Sequence, residues 1–292
     1  MYALVVNLKN EKVVVVAMYV VAVLLAVSYY NNFYMNVMFE MGTVTNASYT
    51  VLYFLPFMLC VRKSFFRLAA ILITFLVVMI SMKRGGFFAL ILSVVVFFYI
   101  DRVSIKGRKI KIWGWFLVLL IIVSGYFLIV RINTELLENM LFDRVADSQA
   151  SEGSGRMGIY RDVINQIGSN SIIGFLFGNG WAGTARDTFS HLTAHNDYLE
   201  VLYDFGIIAF VLYVSFVVQL LKMCRRLIAM KSEYAPAIGA SLAIFFVNSM
   251  VSHIWIYNQY LIIFALFWGF INAVEKKHYY NENRNSHIPC CM

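Results

Sequence analysis

The stretch Ala194-His195-Asn196-Asp197-Tyr198-Leu199-Glu200 sets an imidazole and two carboxyls at the head of an apolar run. An imidazole with an ordinary pKa of about 6.5 suits a proton acceptor at neutral pH. Asp197 followed three residues on by Glu200 reads as a variant capping box. It starts a helix near Asn196 and leaves the first backbone N–H groups directed outward, where anions, phosphates included, are attracted. A histidine that only hydrogen-bonds at a helix start fits the same residues. His191, four residues before His195, raises a metal pair as a competitor. The residue after His191 is Leu192 rather than the glutamate of the H-E-x-x-H pattern, and the helix begins only after His195, so no metal is expected. Asp197, Glu200 and Asp204 are spaced to share one helical face. Carboxylates in an apolar segment rarely face lipid, so that face should turn into a bundle toward arginines, with Asp204 either part of the site or in an ion pair between helices.

Positioning these residues falls to a membrane protein. Hydrophobic residues make up 61% of the 292 and charged residues 14%, against about 45–50% and about 25% in a soluble domain. Runs long enough to approach the roughly 20 residues of a span recur along the whole chain. Eight are marked: Val13–Tyr30, Thr45–Val61, Phe65–Met82, Gly86–Ile100, Ile112–Val130, Tyr198–Leu221, Ala237–Val251 and Tyr257–Val274. The first has no small-residue cleavage pattern after it and is counted as a retained helix. The second carries Asn46, Ser48, Thr50 and Pro56, and is expected to be kinked or partly interfacial. The last two form a tight hairpin.

The formal charge of +8 could point to nucleic acid, but the basic residues stand in short clusters beside apolar runs, where anionic headgroups meet them. With a cytoplasmic N-terminus, most of the 24 Lys and Arg fall inside: Lys9 and Lys12; Arg62, Lys63 and Arg67; the Arg102–Lys111 cluster; Lys222 to Lys231; and the C-terminal Lys276, Lys277 and Arg284. Both termini are then cytoplasmic. Lys83 and Arg84, at a turn made by Gly85 and Gly86, break this pattern. They either have a function or snorkel to outer headgroups.

Residues 131–197 form the long extracytoplasmic loop of an otherwise single membrane domain, 1–292. Such loops tend to be functional. Apolar residues recur at helical spacing from Ile132 to Val145 and again through Tyr160, Val163, Ile164 and Ile167, so two amphipathic helices are expected, joined by a Gly/Ser-rich link over Ser148–Gly155. An apolar Ile172–Phe177 then runs into Gly178-Asn179-Gly180-Trp181. Trp181, Trp255, Tyr257 and Tyr260 read as interfacial belt residues, although aromatic surfaces also hold sugar rings. Cys60, Cys224, Cys290 and Cys291 support neither a disulfide framework nor a zinc motif.

Ser154-Gly155-Arg156-Met157-Gly158-Ile159-Tyr160, then Gly178-Asn179-Gly180, then the His195 stretch with Phe205-Gly206-Ile207-Ile208, resemble the signature domain of the O-antigen ligase and polymerase superfamily. Met82-Lys83-Arg84-Gly85-Gly86 is similar to that family's upstream arginine turn, and the linked pieces cover roughly residues 65 to 275. The resemblance implies an all-α, GT-C-like glycosyltransferase of the bacterial inner membrane, with its site on the outer face. Its donor is a glycan on a polyprenyl diphosphate and its acceptor a hydroxyl of another glycan or of lipid A core. No metal or other cofactor is required. His195 matches the histidine that deprotonates the acceptor. Arg84 and Arg156 match arginines that hold the donor diphosphate, with Lys83, Asn196 and Asp197 supporting. Guanidinium forks suit a leaving group that gains charge. A polymerase is preferred to a ligase; a transporter of lipid-linked sugars and an intramembrane metalloenzyme are the rivals. Family members commonly carry ten or more helices, so eight implies a compact member or one lacking N-terminal helices.

Overall fold

The computed structural model describes residues 11–38, 47–81, 83–104, 156–188, 191–255 and 257–286, the side chains at 33–38, 47, 84, 156 and 278–286 excepted. The expected span Ile112–Val130, the loop helix Ile132–Val145, the Ser148–Gly155 link, Met82, Cys290 and Cys291 lie outside the described residues. Everything regular among the described residues is helical: α1 Lys12–Met38, α2 Ala47–Leu59, α3 Ser64–Ile80, α4 Arg84–Ser104, α5 Arg156–Ser169, α6 Ile172–Phe177, α7 Gly183–Asp187, α8 Asp197–Ala229, α9 Ala235–Val251 and α10 Asn258–Ser286. Three of these are long and apolar enough to cross a membrane, over Lys12–Asn32, Gly85–Ser104 and Asp197–Ala229. Shorter apolar helices occupy Ser48–Leu59, Ser64–Ile80 and Ala235–Val251. The chain is a membrane protein.

It forms two compact units. The first comprises Met1–Ile110, Met223–Phe245 and Tyr257–Met292. Its centre is α2, the segment expected to be kinked or interfacial. Val51, Leu52, Tyr53, Leu55, Phe57, Met58 and Leu59 are all buried, and α1, α3, α4 and α10 pack around them. Of the polar residues that weakened the sequence signal, Ser48 is buried and Thr50 half-buried. Pro56 has no N–H to give the helix ladder, and burial of its neighbours keeps the short helix in place. Ring contacts join α2 to α10: Tyr53 meets Tyr260 and Phe264 at 4.9 Å, and Phe57 meets Phe267 at 5.0 Å edge to face. Each such pair adds about 0.5–1.5 kcal/mol beyond area burial. Tyr260 is therefore a core residue and not the belt residue expected of it.

The basic segments assigned to one membrane side meet at one end of this unit. Arg62 donates through Nε and Nη2 to Glu233 at 2.7 and 2.6 Å, the Tyr234 hydroxyl donates to Glu11, Lys277 lies 3.9 Å from Glu11, and Arg226 donates to Glu275. At Lys83–Arg84 the turn differs from expectation. Gly85 and Gly86 sit in the first turn of α4, which Lys83 precedes. A Cβ on Gly86 would stand 3.3 Å from the Tyr49 ring, so the glycine marks a close approach of α4 to α2.

The second unit comprises Lys111–Lys222 and Phe246–Ile256. The apolar run from Tyr198 was expected to be one unbroken span, yet α8 breaks at Gly206, where φ is 78° and ψ 179°. The break turns the Tyr203 and Asp204 carbonyls out of the helix ladder. They accept from the N–H of Asn179 at 3.1 Å and of Gly180 at 2.9 Å, and Asn179 Nδ2 also donates to the Tyr203 carbonyl. Backbone meets backbone here. A Cβ on Gly206 would lie 2.4 Å from the Leu176 carbonyl oxygen, and one on Gly178 would lie 2.2 Å from that of Asp204. Irregular backbone beside a membrane span persists only where protein supplies its hydrogen bonds, and the Gly178–Gly180 turn does so. The preceding α6 presents Ile172, Ile173 and Phe177 outward, as a lipid-facing surface does.

Candidate active site

The site is built on the head of α8. Asn196 is the cap: its Oδ1 accepts from the N–H groups of Tyr198 at 3.0 Å and Leu199 at 3.2 Å, and its carbonyl accepts from that of Glu200. The start near Asn196 is as expected, but Asp197 is not the capping residue. Nor do these N–H groups stand free for an anion, because the asparagine side chain satisfies two of them.

Asp197 turns away from its own helix end. Both its oxygens accept from the Ile254 N–H at 3.1 Å, and Oδ1 also accepts from that of Trp255 at 3.3 Å. A buried carboxylate with several backbone donors is a strong tie, and here it fixes the segment between α9 and α10 to the start of α8. Glu200, one turn further on, does two things. Oε1 accepts from the His195 N–H at 3.1 Å, and Oε2 accepts from His253 Nδ1 at 3.1 Å. Asp204 accepts from the Thr184 N–H at 2.8 Å. All three carboxyls are buried on one face, as expected. Their partners are backbone N–H groups and a histidine, and the expected arginines are absent from the contacts described.

His195 precedes the cap in left-handed backbone, φ 50°. That region is uncommon outside glycine and costs of order 1–3 kcal/mol unless the surroundings impose it. Here Glu200 holds the N–H, and the imidazole lies against that of His253, ring centroids 4.2 Å apart and tilted by 38°. His195 is half-buried, whereas His253 is enclosed. Residues 191–196 are not helical, so His191 and His195 do not share a helical face, and His191 is exposed.

The loop packs onto this frame through α5. Ile159 and Val163 form a buried cluster with Ala194 and Tyr203, flanked by Tyr160, Ile167 and Leu199. Ile164, expected on the same face, is exposed. The Tyr160 hydroxyl donates to the Met250 carbonyl, and Gln166 Nε2 donates to the Asp187 carbonyl. In α7 the Arg186 guanidinium beside Asp187 holds that carboxyl below its ordinary range. Arg156 opens α5, one turn before Ile159, so its backbone stands on the element that packs against the residue preceding His195. Arg84 opens α4 in the other unit, with Lys83 half-buried just before it. The side chains of Arg84 and Arg156 lie outside the description.

Asp197, Glu200 and His253 present donor atoms within 4.8 Å of one another, the one such cluster among the described residues. Its oxygens are already acceptors for N–H groups, so a metal would have to displace the hydrogen bonds that hold His195 and the α9–α10 connection. His253 went unread in the sequence. It is a lone ionisable residue in an apolar hairpin, and that oddity was the available signal.

Chemically, the arrangement offers one accessible imidazole whose backbone and ring are both fixed, at the head of a helix that begins a membrane span. No curated protein matches the chain. A family model described as O-antigen ligase matches residues 69–214, half of the 292-residue chain, and takes in Arg84, Arg156, His195, Gly178 and Gly206. The chain belongs to the O-antigen ligase family.

Proposed function

We propose that the chain is a membrane glycosyltransferase that moves a glycan from a polyprenyl diphosphate carrier to an acceptor hydroxyl in O-antigen or capsular polysaccharide assembly. The observation that carries this reading is the half-buried His195 imidazole, fixed in left-handed backbone by Glu200 and packed on His253. His195 takes the acceptor's proton. The acceptor oxygen forms a bond to the sugar's anomeric carbon, the bond from that carbon to the diphosphate oxygen breaks, and the carrier diphosphate leaves with the electron pair. Arg84 and Arg156 hold that diphosphate, and their fork geometry and permanent charge suit the role. Lys83 adds charge beside Arg84, and Asn196 and Asp197 keep the helix head and its neighbour in register. The acceptor is a second lipid-linked glycan rather than lipid A core, which makes the chain a polymerase, the activity of a large share of the superfamily.

The full architecture in this reading is one membrane domain of eight spans, GT-C-like, with residues 131–197 outside the bacterial inner membrane and both termini in the cytoplasm. The meeting of Arg62, Glu233, Glu11 and Lys277 at one end of the first unit supports this topology. Expression of His195→Ala, Arg84→Ala and Arg156→Ala in cells lacking the wild-type chain tests the reading. Each should insert normally and leave glycans at single-unit length. A normal length distribution with His195→Ala would favour a transporter of lipid-linked sugars.

A further inference from the structure

We propose that His253 is a positioning residue for His195, and that Glu200 holds the two together. This rests on the reading of His195 as the proton acceptor. His253 itself cannot meet substrate through its nitrogens. Nδ1 lies 3.1 Å from Glu200 Oε2, Nε2 lies 3.0 Å from Thr193 Oγ1, and the side chain is 4% exposed. With the carboxylate as acceptor, Nδ1 carries the proton and Nε2 accepts the threonine hydroxyl, so ring and tautomer are fixed from both sides. What the enclosed ring offers is its face, and His195 lies against it at 4.2 Å.

Glu200 closes the arrangement. One oxygen holds the His195 backbone and the other holds the ring on which the His195 side chain rests. The main-chain and side-chain orientation of His195 are thus set by one carboxyl. Asp197 anchors Ile254 and Trp255, the residues that follow His253, so the histidine is delivered from another helix pair by a second tie. A proton acceptor works only within hydrogen-bond reach of the hydroxyl it serves, and a misplacement of about 1 Å can lower the rate about 100-fold. A device that locks both torsional degrees of freedom of His195 should therefore act on turnover and leave donor binding alone.

The test uses the full chain in lipid nanodiscs, with a polyprenyl-diphosphate-linked glycan as both donor and acceptor. His253→Asn keeps a donor for Glu200 and removes the ring; His253→Phe keeps the ring and removes both hydrogen bonds. Melting of each variant is followed alongside kcat and KM. The expected result is a kcat lowered about 10- to 100-fold in His253→Asn, a smaller loss in His253→Phe, and a KM for donor within about twofold of wild type. Placed in a His195→Ala background, His253→Asn should cause no further loss, since it acts through the group already removed. Wild-type kcat in both folded variants, a loss confined to KM, or the same additional loss without His195 would each overturn the positioning role. Should His195→Ala alone turn over at the wild-type rate, the reading of His195 as base fails instead.

Discussion

Gly206→Ala is the substitution on which the frame of the site depends most visibly. The residue sits at φ 78°, ψ 179°, a region open essentially to glycine alone, and forcing alanine there costs about 1–3 kcal/mol. The added Cβ would also fall 2.4 Å from the Leu176 carbonyl oxygen and 2.6 Å from Gly178 N, so the Gly178–Gly180 turn must move off α8. That motion breaks three hydrogen bonds, from Asn179 N, Asn179 Nδ2 and Gly180 N, each worth about 0.5–1.5 kcal/mol. Those bonds resist detachment in wild type and variant alike, so the shift comes from the strain: about 1–3 kcal/mol from the backbone alone raises the detached population about 5-fold or more. Hydrogen exchange in nanodiscs reads this directly. The Asn179 and Gly180 amides should exchange about 5-fold faster or more, while amides of α2 stay unchanged. Gly158→Ala is the control: it lies within α5, nothing stands within 4 Å of its new Cβ, and alanine should be neutral or stabilising by up to about 1 kcal/mol. Unchanged exchange in Gly206→Ala, or a change no larger than in Gly158→Ala, would refute the packing of the turn against the break.

Three further outcomes are expected. Asn196→Ala should lower stability by about 1 kcal/mol in thermal melts and Asn196→Asp should restore it, because the side-chain oxygen caps Tyr198 and Leu199. Phe57→Ala should destabilise by about 3–5 kcal/mol, whereas Phe65→Ala, 73% exposed, should cost far less; equal effects would return α2 to the membrane boundary. In a background without native cysteines, single cysteines at 62, 233 and 277 should all be shielded from an impermeant maleimide in intact cells, and one at 181 should label. Labelling of any of the first three from outside would reverse the topology.

The helices among the described residues were legible in the sequence because hydrophobic runs mark them directly. The His195 stretch was legible as a helix start because Asn, Asp and Glu cluster there. What escaped depends on tertiary partners. Asp197 was read as a cap from local spacing, and its actual partners, Ile254 and Trp255, are far along the chain. That Glu200 meets His253 and Asp204 meets the Thr184 N–H likewise depends on partners that local spacing cannot name. Gly206 inside an apolar run was passed over because hydropathy averages across a break, and φ is not a composition property. Asn46, Ser48, Thr50 and Pro56 weaken the apolar signal of α2, and its burial comes from ring contacts with α10, far along the chain.

Single-turnover transfer by purified His195→Ala in nanodiscs, with donor binding measured on the same sample, addresses the imidazole's role most directly. Donor affinity should match wild type while the transfer rate falls about 100- to 10,000-fold, the range that a general base contributes. Transfer at the wild-type rate by a variant that still binds donor would contradict the proton-acceptor role of His195.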